Sequence, residues 1–426
     1  MLGRAIAMSS GRHVLIVGGG VIGLCSAYYA ALAGHHVTVV ERGAPDHDSC
    51  SLGNAGMVVP SHFVPLAAPG AVTMGLKWMW NPASPFYIQP RLDWDLLSWS
   101  WKFFCSATRS HVERAAPLIR DLSFASRAAF VDLAQQHGNP FGLAERGLLM
   151  FCKTEQGLEE EAHAAEVARN LGVPARVLSP SEVSALDPGV RYDIAGAVHY
   201  PKDCHLNPRE FVAWITQRLE SLGVDLRFNT RAMGWSTEGD HITGLRTPTG
   251  EVKADEYVVA GGAWSPEVAR PLGVKIPMQA GKGYSLTLPH PRQLPALCSI
   301  FTEARIAVTP MGDTLRFGGT MEIAGLDETI RPVRVRGIIQ SVSRYFPEFT
   351  PADFDGIPVW RGLRPCSPDG LPYLGRLARW KNCVVATGHA MMGLSLGPIT
   401  GQLVAQLLSR ESPSLDLSLL KPERFG

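Results

Sequence analysis

Gly18, Gly20 and Gly23 stand in the order G-x-G-x-x-G, a spacing that lets backbone N–H groups close around a diphosphate. Gly18 permits the tight turn, Gly20 removes the Cβ that would keep the backbone from the pyrophosphate, and Gly23 lets a helix lie close to the preceding strand. Val21 and Ile22 follow in the first helical turn, where unpaired N–H groups and the dipole favour an anion. Eighteen residues after Gly23 comes Glu41, a carboxylate able to accept from ribose hydroxyls. An acid at that place disfavours a 2′-phosphate and so NADP, leaving FAD and NAD.

Glycines at this spacing carry weight only when the right elements flank them. Val14, Leu15, Ile16 and Val17 form an apolar, β-branched run that predicts a buried parallel strand. Residues 21–33 predict a compact apolar helix, and 37–40 a second strand that ends at Glu41. A membrane span is the competing reading, since 14–34 holds no charged residue. Three consecutive glycines near its start argue against it, because a span needs roughly 20 steadily apolar residues.

A chain of 426 residues exceeds the usual size of one core, so two domains are expected. Hydrophobic content of 46% against 19% charged is ample for globular folding, and a net charge of +1 gives no electrostatic footprint for nucleic acid. The eight cysteines are scattered, with no C-x-x-C pair and no metal-ligand spacing, so reduced thiols in a cytoplasmic protein without a metal centre are expected. The leader 1–12 carries Arg4 but too short an apolar run for a secretory signal; it reads as a disordered tail, with Met8 as an alternative start.

Past Glu41 and Arg42, residues 49–57 (Ser49, Cys50, Ser51, Leu52, Gly53, Asn54, Ala55, Gly56, Met57) are small or amide-bearing and suited to bring backbone close to a planar ligand. Residues 75–104 hold Trp78, Trp80, Trp94, Trp99 and Trp101, half of the ten tryptophans. Packing inside a small helical subdomain is the favoured reading, with a membrane interface as the alternative. Helices are predicted at 115–137, 155–171 and 209–223, and strands at 147–151 and 225–229. A second apolar strand, 256–260, runs into Gly261, Gly262 and Trp264. A third, 383–386, runs into Gly388 and His389, then Gly393, Leu394, Ser395 and a helix to 408. Three visits to one doubly wound sheet follow. Between them, 284–288, 306–309 and 315–318 alternate as an antiparallel sheet does.

Together these residues resemble the FAD-dependent D-amino-acid oxidase superfamily, and most closely the bacterial D-amino-acid dehydrogenases. The resemblance rests on 17–23, on 51–56, on Ala67-Ala68-Pro69-Gly70 with Lys77-Trp78, and on Gly283-Tyr284-Ser285. Its most specific part is Gly362-Leu363-Arg364-Pro365 with Pro368-Asp369-Gly370, followed by Ala386-Thr387-Gly388-His389. It implies FAD as the cofactor and an α/β fold: a discontinuous Rossmann-like FAD-binding domain (8–65, 201–275, 361–426) with a second, α+β substrate domain (66–200, 276–360) containing the antiparallel sheet. Gly18, Gly20, Val21, Ile22 and Gly23 would hold the pyrophosphate and Glu41, with Arg42, the adenosine ribose. Ser49, Ser51, Asn54, Ala55, Gly56 and Met57 would line the flavin, and Gly261, Gly262 and Trp264 would be further cofactor contacts. Gly388, His389, Gly393, Leu394 and Ser395 would approach its pyrimidine edge.

The resemblance also assigns Arg364 to the substrate carboxylate, in keeping with a guanidinium's paired hydrogen bonds to a carboxylate. A structural ion pair with Asp369 or another acid is the plain alternative. Tyr284 is expected beside the carboxylate or amine, and His205 and His389 near the flavin, none of them as an obligatory base. Cys366 is weighed, and disfavoured, for a covalent flavin link. Hydride would pass from Cα to flavin N5, giving an imine. Leu371-Pro372-Tyr373-Leu374-Gly375 and 389–398 look more like enzymes for D-proline or cis-4-hydroxy-D-proline. A broad D-amino-acid dehydrogenase, a glycine or sarcosine oxidase, the flavin subunit of a hetero-oligomer and a non-catalytic dinucleotide-binding module are the alternatives. The electron acceptor is expected to be a quinone or respiratory-chain component, with peripheral contact at the inner membrane.

Overall fold

The computed structural model describes residues 11–73, 75 and 84–426. Most of the leader, and Lys77, Trp78 and Trp80 of the aromatic stretch, lie outside the described residues. A six-stranded sheet carries the strand-turn-helix read from the glycines. Its order is Tyr373–Arg376, Cys383–Thr387, Glu256–Val259, His13–Val17, His36–Val40 and Asp225–Arg227. All pairings are parallel except that of Tyr373–Arg376. The chain therefore enters this sheet from three separate stretches.

His13–Val17 is buried on both faces, which is why it reads as an unbroken apolar run. Helix Val21–Leu32 packs against Gly397–Leu408 and Pro208–Ser221 on one face. The uncharged 14–34 stretch is thus strand, turn and helix, and no helix among the described residues is long and apolar enough to cross a membrane. A three-stranded meander, Gly234–Glu238, His241–Thr247 and Gly250–Val252, covers another part of the sheet. It was not anticipated from sequence. Exposed polar residues alternate with Ile242 and Leu245, which pack under Trp235 and Tyr257.

The second sheet has nine strands and is mainly antiparallel. Along its path run Val359–Cys366, Gln279–Leu288, Thr314–Ile323, Ile306–Met311, Cys298–Phe301, Leu148–Cys152, Gly196–Tyr200 and Arg176–Leu178, with Phe86–Ile88 joined to Thr314–Ile323. Two pairings depart from the antiparallel expectation: Leu148–Cys152 with Cys298–Phe301, and Phe86–Ile88 with Thr314–Ile323, are parallel. Val359–Cys366 straddles the expected domain boundary at 360/361 and pairs along its length with Gln279–Leu288. Arg364 consequently reaches its site from the second sheet.

The aromatic stretch divides by face. In helix Trp94–Ser106, Leu96 and Trp99 are buried, while Trp94, Leu97, Trp101 and Phe104 are exposed. Core packing accounts for the first set alone.

Candidate active site

A cavity of about 1570 Å³ begins at Glu41, Arg42 and Trp264, passes Gly18 and Gly20, and reaches the 49–57 loop, the Gly388–Leu394 turn and Arg364. It exceeds the roughly 300–1,000 Å³ of ordinary small-molecule sites, as a dinucleotide with a small acid beside it requires. Gly18 turns with φ +117°, and a Cβ there would stand 2.4 Å from the Ala260 carbonyl oxygen. A Cβ on Gly23 would stand 1.9 Å from the Gly18 carbonyl oxygen, so this glycine serves helix-strand packing and does not line the cavity. Helix Val21–Leu32 starts without a side-chain cap or an acid in its first turn, leaving its positive end for a phosphate.

Glu41 accepts from Gly19 N–H (2.7 Å) through one oxygen and Gly43 N–H (2.8 Å) through the other. Each oxygen keeps a lone pair for a ribose hydroxyl. The Arg42 guanidinium lies 3.5 Å from the centre of the Trp264 ring, a stacked pair at the nucleotide end. The residues present therefore fit a dinucleotide cofactor.

The 49–57 loop is fastened from several sides. Ser51 Oγ accepts from Val21 N–H (3.0 Å), tying the loop to the phosphate-facing helix end. Asn54 Oδ1 accepts from Gly56 N–H (2.9 Å), and Ser395 Oγ from Val59 N–H (3.2 Å). Gly56 and Ser395 thus support the wall and are not part of it, unlike Ser49, Ser51, Asn54, Ala55, Met57, Gly261, Gly262, Gly388, Gly393 and Leu394. Two fastenings were missed from sequence. Buried Arg316 donates to the carbonyls of Leu52 (3.1 Å) and Asn54 (2.7 Å), with its pKa lowered to about 10 by burial. Trp360 lies on Gly53, where a Cβ would stand 2.0 Å from its ring.

Arg364 crosses its neighbouring strand. Its strand pairs with Gln279–Leu288, and the guanidinium passes over Gly283 to donate to the Thr320 carbonyl (2.6 Å) on the strand beyond. A Cβ on Gly283 would stand 2.2 Å from Nη2, so only glycine leaves this path open. The receiving carbonyl belongs to a bulge: Lys282 pairs with Glu322 and Tyr284 with Gly319, so Thr320 and Met321 together face Gly283. Thr320 has φ +64°, an outlier for a β-branched residue. Asp369 is taken by Arg424 (2.7 and 2.8 Å), and Arg364 has no acidic partner among the described residues. The ion-pair alternative for Arg364 is thereby set aside. Desolvation in the cavity lowers its pKa; a cation so placed is stabilised by an incoming anion.

The other expected residues fare differently. Tyr284 shares a face of its strand with Leu286 and Leu288, packed on Val335 and Ile338 of helix Pro332–Tyr345, while Ser285 turns the opposite way to reach Gly53 O. The Tyr284 hydroxyl donates to Glu322 (3.1 Å) and accepts from Arg331 N–H (3.3 Å), and its pKa is pushed up to about 12, first by burial. Tyr284 is part of the cavity wall, but strand alternation turns its phenol away from the face that holds Arg364. His205 is buried in a two-residue strand opposite Met57 and is not a cavity wall. His389 does line the cavity, with Nε2 3.0 Å from Thr400 Oγ1. Burial lowers the pKa of His205 to about 4 and of His389 to about 3, so both are neutral near pH 7. Cys366 is fully buried and is not a wall, which removes it from covalent contact with a cofactor. No group of metal-ligating side chains occurs among the described residues.

Beside Arg364, Trp99, Met321, Ile323, Phe86, Ile88, Phe103, Leu66 and Ala390 form an apolar wall. Sequence reading missed Thr320 and Met321; the Gly318-Gly319 pair before them was the available signal of a bulge.

Comparison with known proteins agrees with this architecture. A family model described as FAD dependent oxidoreductase matches residues 13–407. A D-amino acid dehydrogenase of Granulibacter bethesdensis is 34% identical over 423 residues, 97% of this chain and 100% of that protein. One from Methylobacterium radiotolerans is 35% identical over 416 residues, 96% of this chain and 99% of that protein. Among solved structures, glycine oxidase from Geobacillus kaustophilus superposes with a TM-score of 0.77 at 24% identity, covering 97% of this chain and 100% of that one.

Proposed function

The chain belongs to the FAD dependent oxidoreductase family, and on that footing we propose that it is a D-amino acid dehydrogenase whose substrate is a compact D-amino or D-imino acid, D-proline or cis-4-hydroxy-D-proline foremost. The observation that carries the proposal is Arg364: a guanidinium in the cavity, without an acidic partner among the described residues, beside an apolar wall. Relatives at 34% and 35% identity named D-amino acid dehydrogenase supply the handedness. The wall of Trp99, Met321 and Phe86 favours a short or cyclic apolar side chain.

When bound, FAD supplies the two-electron acceptor. Gly18, Gly20, Val21 and Ile22 would hold its pyrophosphate, Glu41 and Arg42 its adenosine, and the 49–57 loop with Gly388, His389 and Leu394 its ring system. Arg364 takes the substrate carboxylate by two parallel hydrogen bonds, and the Thr320 carbonyl keeps the guanidinium plane fixed while it does so. The apolar wall excludes water from the Cα–H bond. His389, neutral, serves as a hydrogen-bonding wall and takes no proton. The substrate leaves as an imine, which water converts to a 2-oxo acid and ammonia, or which stays cyclic when the substrate is proline.

For the acceptor of the electrons we propose a quinone or another respiratory-chain component, reached by a protein that is cytoplasmic and peripheral at the inner membrane. The support is the exposed stripe of Trp94, Leu97, Trp101 and Phe104, on the helix whose Ser100, Phe103 and Phe104 line the cavity.

The test is anaerobic reduction of the purified yellow protein by D-proline, cis-4-hydroxy-D-proline, D-alanine, sarcosine and L-proline offered separately. Fast bleaching by the cyclic D-compounds supports the reading. Equal bleaching by D-alanine widens it to a general D-amino acid dehydrogenase, and preference for L-proline or sarcosine refutes it.

A further inference from the structure

We propose that Trp99 is the residue that sets the size limit for the substrate side chain, so that short and cyclic apolar D-amino acids are accepted and bulky aromatic ones refused. The inference rests on the reading of Arg364 as the carboxylate anchor. Trp99 is 3% exposed, and its indole N–H donates to the Cys366 carbonyl at 2.9 Å. Cys366 lies two residues beyond Arg364 on the strand Val359–Cys366, about 7 Å along an extended backbone. One strand therefore carries the anion anchor and also holds the indole, and both side chains line the cavity.

The ring has little freedom to yield. It stacks on Phe103 (centroids 5.1 Å apart, planes at 22°) and packs in one apolar cluster with Met321, Ile323, Cys366 and Phe86. Rotation would leave a buried N–H without a partner. Met321 stands differently: it follows Thr320 in the bulge beside Arg364, and an unbranched thioether adapts its shape to what it meets. Of these two walls, Trp99 is the rigid one.

The test uses the FAD-loaded enzyme and its W99L and W99F variants. The readouts are the ratio of kcat/KM for D-proline over D-phenylalanine, and the Kd of pyrrole-2-carboxylate and naphthalene-2-carboxylate from the perturbed flavin spectrum. The wild type should favour the small member of each pair by at least about tenfold, and W99L should narrow both preferences by roughly 10–100-fold. A W99L enzyme that retains FAD and keeps the wild-type ratios overturns the proposal. If W99L does not retain FAD, W99F decides: it keeps an aromatic ring, but a smaller one without the N–H that holds it to Cys366, so broadened ratios support the proposal and unchanged ratios overturn it. The two readings fail separately. Wild-type reduction by D-amino acids of every size would sink the size limit and leave the anchor standing. A protein reduced by none of them, yet selective for the small carboxylate in binding, would sink the dehydrogenase reading and leave the wall.

Discussion

Replacing Gly283 with alanine adds a methyl group whose ideal position is 2.2 Å from Nη2, 2.3 Å from Nη1 and 2.4 Å from Cζ of Arg364. Non-bonded heavy atoms rest about 3.5–4.0 Å apart, so the guanidinium must retreat by more than about 1 Å. Gly283 does not occupy the left-handed region, so the backbone itself accepts alanine and the effect falls on the arginine. The retreat breaks the 2.6 Å hydrogen bond to the Thr320 carbonyl. A hydrogen bond to a charged group contributes about 1.5–3 kcal/mol, and displacement of that order at a reacting site costs about 10²-fold. The expectation is a 10–100-fold loss in kcat/KM, carried mainly by KM, with about the wild-type FAD content. The assay is anaerobic reduction followed against substrate concentration, with FAD stoichiometry and Tm measured on the same preparations. A Gly283→Ala enzyme with KM within about twofold of wild type would refute the argument that Arg364 needs this path.

Arg316→Met leaves the Leu52 and Asn54 carbonyls without their buried donor; the loss should be about 2–4 kcal/mol, read as a lower Tm and faster FAD dissociation. Glu41→Ala removes the acceptor of two backbone N–H groups and, on the proposed reading, of the ribose hydroxyls. FAD retained after gel filtration should drop sharply, and an unchanged ratio of FAD to protein would remove the ribose role. The pH dependence of stability has a definite sign. His389 has a folded pKa of about 3 against an ordinary value of 6.5, so the unfolded chain binds more protons and stability is lost as pH falls from about 6.5 toward 3. At pH 5 this one group should cost about 2 kcal/mol. His389→Asn should flatten the acid side of the Tm-against-pH curve relative to wild type.

The parts legible in the sequence are those where a local pattern has a single physical use. An apolar run ending in three glycines, followed by an alanine-rich helix and a strand with a terminal acid, fits one arrangement, and the parallel sheet is built on it. The lining loop was legible because small residues mark close backbone approach. What stayed hidden depended on distant pairing. Nothing in 231–255 announces a meander, because its half-buried strands are short and weakly patterned. The face taken by Tyr284 is fixed by the register of three strands and a bulge, and a neighbouring motif cannot reveal it. Arg316 and Gly283 act across strands, so their partners lie at remote positions in the chain. The aromatic helix was half legible: its gathered rings predicted core packing, which holds for Leu96 and Trp99, whereas Trp94, Leu97, Trp101 and Phe104 are exposed.

Rapid-mixing reduction of wild type and Arg364→Ala by D-proline, without oxygen, tests the central claim most directly. The account predicts a saturable reduction in the wild type and, in the variant, a rise of about 100-fold or more in the half-saturating concentration, with FAD still bound. Equal half-saturation in the two proteins would contradict it and place the carboxylate elsewhere in the cavity.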